Sequence, residues 1–122
     1  MDKHNVLGFI DSKHKFLQKT LPDLHEKYKD NPPLYHKKAT LLKLLGHPQR
    51  LCILRTLCSE GSATVTDMQT CLDEKQAVVS QHLAKLRKAK LIKAQREGTS
   101  MRYSIYDENT KKVLSGIINC IF

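Results

Sequence analysis

Between residues 76 and 102, side chains able to bond to base edges and to phosphates recur at close spacing. Gln76, Ser80, Gln81, Lys85 and Lys88 fall on one side of a 3.6-residue period, with His82 and Arg87 on its flanks. Val79, Leu83 and Leu86 occupy the opposite side at i, i+4, i+7. Just beyond, Arg96, Thr99, Ser100 and Arg102 surround Gly98. Glutamine can bond an adenine edge through both amide groups. Serine bonds a base or a phosphate, and lysine and arginine neutralise phosphates and release counterions. The spacing predicts Gln76, Ser80 and Gln81 near base edges and Lys85 and Lys88 near the backbone. Arg96, Thr99, Ser100 and Arg102 form a second contact along a minor groove or the phosphates.

These residues need a scaffold. Gln76–Ala89 reads as a helix preceded by a shorter one, roughly Thr64 to Leu72, across the turn Asp73-Glu74-Lys75. Thr64 suits the N-cap of the short helix and Asp67 its first turn. After residue 90 the period becomes two. Residues 91–96 and 101–106 read as strands joined by Glu97-Gly98-Thr99-Ser100. Two further helices come first. One covers 34–45, with Leu34, Leu41, Leu42, Leu44 and Leu45 on a broad face. The other runs from Pro48 to Ser59, with Leu51, Leu54 and Cys58 as its inner stripe and Ile53 and Leu57 beside it. Asp107 opens a last helix carrying Val113, Leu114, Ile117, Ile118 and Ile121. The order is four helices, a hairpin and a helix. The fold class is mainly α with a small antiparallel β-hairpin (α+β), a winged helix-turn-helix.

The break Lys29-Asp30-Asn31-Pro32-Pro33 separates an N-terminal helical extension, 1–33, from a DNA-binding and dimerisation domain, 34–122. Within the extension, Val6, Ile10, Leu17, Leu21 and Leu24 predict a helix from about His4 to Lys19 and a short second one opening at Thr20.

The bulk properties agree. The 122 residues suit one core, and 21 Lys plus Arg against 12 Asp plus Glu leave a net charge of +9. Such an excess favours a polyanion, with nucleic acid ahead of an anionic membrane surface. No apolar run reaches spanning length and no signal-peptide core is evident, so no membrane and a cytoplasmic location are expected. Paired carboxylates, a nucleophile elbow and a phosphate loop are all missing, and an enzyme is not expected. Four cysteines, none in a C-x-x-C pair, read as reduced thiols.

Three segments resemble the ArsR/SmtB family of transcriptional repressors across 34–122. They are Leu44-Leu45-Gly46-His47-Pro48-Gln49-Arg50-Leu51-Cys52-Ile53-Leu54, Val78-Val79-Ser80-Gln81-His82-Leu83-Ala84-Lys85-Leu86-Arg87, and Arg96 through Ile105. The resemblance implies a homodimer built on the 34–45 and 107–121 helices, bound to double-stranded operator DNA of dyad symmetry and released by an inducer. The extension either adds to the dimer interface, covers its own domain, or is a flexible arm.

Two metal sites of the family are missing. Thr64-Val65-Thr66-Asp67 stands where one uses cysteines, and hydroxyls are poor ligands for soft metals. The last helix has no histidine for the other. No metal site and no cofactor are assigned, although a metal-responsive repressor with a non-standard site stays an alternative, as does a winged-helix protein-interaction module. The wording of helix and wing is similar to the HlyU-like, persulfide-sensing branch, in which a cysteine on the second core helix links to one near the end of the last. That implies Cys52 and Cys120 as a candidate thiol sensor, derepressed by oxidation or persulfidation. The register departs: the branch's positions align with Arg55 and Phe122. Cys58 and Cys71 read as core.

Overall fold

The computed structural model describes residues 27–122, so the expected helices in 1–26 lie outside the described residues. Five helices and three strands follow in the order α1 (Pro32–Leu45), α2 (Pro48–Glu60), β1 (Ala63–Thr64), α3 (Val65–Leu72), α4 (Gln76–Lys88), β2 (Ile92–Glu97), β3 (Ser100–Ile105) and α5 (Glu108–Ile121). Packing divides the chain into 1–40 and 41–122.

Asn31 opens α1, its Oδ1 accepting from the Leu34 amide at 3.3 Å. Both prolines then occupy the first turn, where a missing N–H costs nothing. The expected boundary between 33 and 34 therefore falls inside this turn. In the same unit, Tyr28 sets its ring edge-on to Tyr35, centroids 5.8 Å apart.

In 41–122, the starts of α2, α3 and α5 carry side-chain caps, while Lys75 before α4 gives none. His47 caps α2, its Nδ1 accepting from the Gln49 amide at 3.2 Å, with Pro48 following. Thr64 caps α3 as expected, and Asp67, expected only as a first-turn acid, closes a reciprocal capping box with it. Asp107 caps α5, accepting from the Thr110 amide at 2.7 Å. Arg50 ties α2 back to α1 by donating from Nε to the Leu44 carbonyl at 2.8 Å. That carbonyl lies in the last turn of α1, where intrahelical partners run out.

The core joins α2, α3, α4, α5 and the sheet: Ile53, Leu54, Leu57, Met68, Val79, Leu83, Leu86, Ile92, Leu114 and Ile118 are almost fully enclosed. The inner stripe of α2 is thus Ile53, Leu54 and Leu57, while Leu51 and Cys58 are only half-buried. The α1 leucines do not share one inward face either. Leu45 is buried, Leu41 and Leu44 pack partly on the core, and Leu42 is 58% exposed.

The sheet is antiparallel in the order β1-β3-β2. Glu97 pairs with Ser100, leaving Gly98 and Thr99 as a two-residue loop. Gly98 takes φ +63, the glycine-first pattern that matches strand twist in tight hairpins. Both strands sit one residue from their expected bounds because Leu91 and Tyr106 share a single bond at the hairpin base, Tyr106 N to Leu91 O at 2.9 Å. Strand β1, which pairs Ala63 with Tyr103 and Thr64 with Arg102, was not expected. Two residues are too few to carry a period-two signal.

Candidate nucleic-acid interface

Helix α4 packs through Val79, His82, Leu83 and Leu86 and exposes Gln76, Ala77, Ser80, Gln81, Ala84, Lys85, Arg87 and Lys88. Gln76, Ser80, Gln81, Lys85 and Lys88 therefore share the outward face, with Arg87 beside it. Ala77 and Ala84 lie on the same face and were passed over as chemically silent. Their small side chains let the backbone of such a helix approach a groove floor closely. Lys85, Arg87 and Lys88 gather in the last turn, where cations also suit the helix dipole.

His82 departs from its expected place. It is only 8% exposed and faces α2 instead of solvent. Its Nε2–H donates to Gln49 Oε1 at 2.8 Å, and the Gln49 amide donates in turn to Glu74 Oε2 at 2.9 Å. The His47 ring lies beside it, centroids 4.6 Å apart. Burial pushes His82 below its ordinary value of 6.5, and His47, Arg50 and Lys85 push in the same direction. Glu74, bonded by Gln49 and by the Lys75 amide, is held below the usual carboxylate range. His82 is thus a positioning residue that joins α4 to α2 through Gln49.

The wing sets its cations differently. Arg96, Thr99 and Ser100 are exposed around the loop. Arg102 is half-buried and engaged: Nε pairs with Glu97 Oε2 at 2.6 Å, and Nη1 donates to Ser62 Oγ at 3.2 Å. The pair fastens the wing to the start of β1 and holds the guanidinium firmly protonated. Between wing and helix runs an open groove of about 340 Å³, lined by Ser80, Leu83, Ala84, Arg87, Lys88 and Tyr103. The groove thus sets Ser80, Arg87 and Lys88 of α4 beside Tyr103 of β3.

The cysteines differ in access. Cys52 is half-buried on α2, and burial pushes its thiol up. Cys120 is exposed near the end of α5. The two register positions of the thiol-sensing branch hold Arg55 and Phe122, and these do meet, with the guanidinium 3.9 Å from the ring centroid. A cation–π contact, without redox chemistry, joins α2 to the end of α5. Cys71 is exposed rather than core, because α3 turns only Met68 fully inward. Among the described residues, no three His, Cys, Asp or Glu side chains come together as metal ligands. No helix among them is long and apolar enough to cross a membrane.

Comparison with known proteins places this geometry among regulators. A family model described as a helix-turn-helix domain matches residues 45–95. The transcriptional repressor PagR of Bacillus anthracis is 41% identical over 83 residues, covering 68% of this chain and 79% of that one. The arsenical resistance operon repressor of Bacillus subtilis is 34% identical over 89 residues, covering 73% and 85%. Reduced HlyU from Vibrio cholerae superposes with a TM-score of 0.68 at 25% identity, over 75% of this chain and 96% of that chain. The homodimeric winged helix-turn-helix DNA-binding domain of Mb0332 from Mycobacterium bovis gives 0.65 at 26%, over 75% and 84%.

Proposed function

The chain belongs to the ArsR/SmtB family of winged helix-turn-helix transcriptional repressors, and from that membership we propose a homodimer that reads a symmetric operator with α4 and steadies it with the wing. The observation that carries this reading is the outward face of α4. Its inward side is closed by the core, and its outward side offers Gln76, Ser80 and Gln81 beside Lys85 and Lys88. A protein-interaction face would be apolar at these positions. Ser80 and Gln81 sit in the middle of the helix, the place for base edges, while Lys85, Lys88 and Arg96 suit the flanking phosphates. Arg102 acts by holding the wing at the angle that aims Arg96, Thr99 and Ser100.

Dimerisation has support in the large apolar side chains that 41–122 leaves exposed on its first and last helices: Leu42, Val113, Ile121 and Phe122. Derepression through a cysteine thiol belongs to the same reading, because Cys52 lies half-buried on α2, whose Gln49 bonds His82 of α4.

The test is binding to DNA from the chain's own promoter, followed as salt is varied. Neutralising about eight phosphates per dimer predicts a loss of roughly 10³-fold or more between about 50 and 200 mM salt. The double variant Gln81→Ala, Lys85→Ala should lose promoter affinity at least tenfold and flatten the salt slope. Salt-independent binding, or full affinity in the double variant, would overturn the reading.

A further inference from the structure

Between α2 and α5 lies an open cleft of about 430 Å³. Pockets that hold small organic ligands run from about 300 to about 1,000 Å³. Ile118 is buried and Cys58 and Ser115 are half-buried, so these three make the floor. Arg55, Ser59, Asn119 and Phe122 are exposed and make the rim. The walls carry one cationic side chain and no Asp or Glu. Among the described residues, Arg55 has no ion pair. Its guanidinium carbon lies over the Phe122 ring, 3.9 Å from the centroid. The smaller cleft at the start of α5, about 220 Å³, differs: it sets Asp107 and Glu108 beside Lys93 and Lys111, so its charges cancel. The groove beside α4 belongs to the nucleic-acid face.

We infer that the α2–α5 cleft binds a small aromatic carboxylate, its anionic head bonded by Arg55 and its ring packed on Ile118 and Phe122. The guanidinium is a planar fork of N–H donors that matches a carboxylate with two parallel, charge-assisted bonds. One cation balances one negative charge, so a monocarboxylate fits where a dianionic phosphate would stay half neutralised. Ser59, Ser115 and Asn119 stand on the same walls as donors for polar substituents on the ring. Ile118 and the Phe122 ring supply the apolar surface, and an aromatic ligand gains from edge-on or offset stacking there. A ligand with a positive charge would meet Arg55 with nothing to oppose it.

The two walls of the cleft lead to both ends of the repressor reading. Helix α2 carries Gln49, which bonds His82 of α4 at 2.8 Å. On α5, Phe122 is one of the exposed apolar side chains assigned to the dimer. A ring seated against Phe122 takes that surface from the partner copy, so the ligand favours the separated protomers and weakens the hold on a two-fold operator. The consequence for DNA affinity rests on the repressor reading above; the binding of the carboxylate does not.

The full chain, isotope-labelled, is titrated with naphthoate and separately with the uncharged naphthamide, and its backbone amides are followed by NMR. Saturable shifts are expected in 55–59 and 115–122, with naphthamide about tenfold weaker or worse. Arg55→Gln, at an exposed site, should lose about tenfold in naphthoate affinity, and Arg55→Lys should keep part of it. Lys93→Gln, in the other cleft, should bind naphthoate as the unaltered chain does. Saturating naphthoate should weaken promoter binding severalfold, and naphthamide should not. The mapping uses the unaltered chain, so it decides the site even where Arg55→Gln folds poorly. No saturable shift, shifts centred elsewhere, equal affinity for naphthamide, or full affinity in a folded Arg55→Gln would overturn the site. Shifts in the same segments that follow protein concentration and are indifferent to naphthoate would put a second copy in the cleft and overturn it too. Binding with unchanged promoter affinity would overturn the regulatory consequence. Binding by a protein that never holds the DNA would support the cleft and overturn the repressor reading instead.

Discussion

His82 shows how one ring can belong to a DNA-facing helix and still look inward. Burial, His47, Arg50 and Lys85 lower its proton affinity and only Glu74 opposes them, so the folded state binds fewer protons than the unfolded one. The stability this represents is complete above the ordinary histidine value and is lost as pH falls through the window just below it. The urea midpoint should therefore drop between about pH 7.5 and about pH 5.5. His82→Gln, which keeps a donor toward Gln49, should flatten that drop at the expense of some stability at neutral pH. Equal pH slopes in the two proteins would remove His82 as the cause. Asp67, Glu74 and Asp107 are held below the usual carboxylate range and act in a separate window at lower pH. Most of the candidate interface was legible, because Val79, Leu83 and Leu86 set the helical phase and so placed Gln76, Ser80, Gln81, Lys85 and Lys88 outward. His82 was not, because its hydrogen-bond partner lies 33 residues away. The partner of Arg102 was hidden for the same reason: Ser62 lies 40 residues away.

At the level of elements, the caps carry more information than the apolar stripes. Thr64 and Asp67 announced α3 by type and spacing, and Asp107 announced α5. The stripe of α2 misled by a fraction of a turn, because leucine and cysteine at 51 and 58 look as apolar as the truly enclosed Ile53 and Leu57. Helix α3 is only eight residues long, too short to persist without its cap and its packing. Thr64→Ala should cost about 1 kcal/mol, read as a lower denaturation midpoint with an unchanged slope. No change in midpoint would show that the capping box contributes nothing. Thr64 also pairs with Arg102 across β1 and β3, so the same residue ends the sheet and starts the helix. That double duty explains why β1 left no trace of its own in the sequence.

For the whole molecule, a net charge of +9 and an exposed apolar set answer to different partners. Charge suits the protein to a polyanion, while Leu42, Val113, Ile121 and Phe122 are the exposed apolar side chains on which the proposed dimer would rest. Ile121→Asp, at a side chain 63% exposed in the single chain, should leave the fold intact and shift sedimentation from dimer to monomer. It should also weaken operator binding severalfold or more, since two half-sites would no longer be held together. An unshifted dimer would place the interface elsewhere. The chain of bonds from His82 through Gln49 to Glu74 has an evolutionary consequence. It pins the base of the reading helix to residues that face no base pair. A substitution on α2 can therefore retune which operator is preferred while every groove-facing side chain stays the same, so the descent of specificity in such a protein need not be written in the helix that reads.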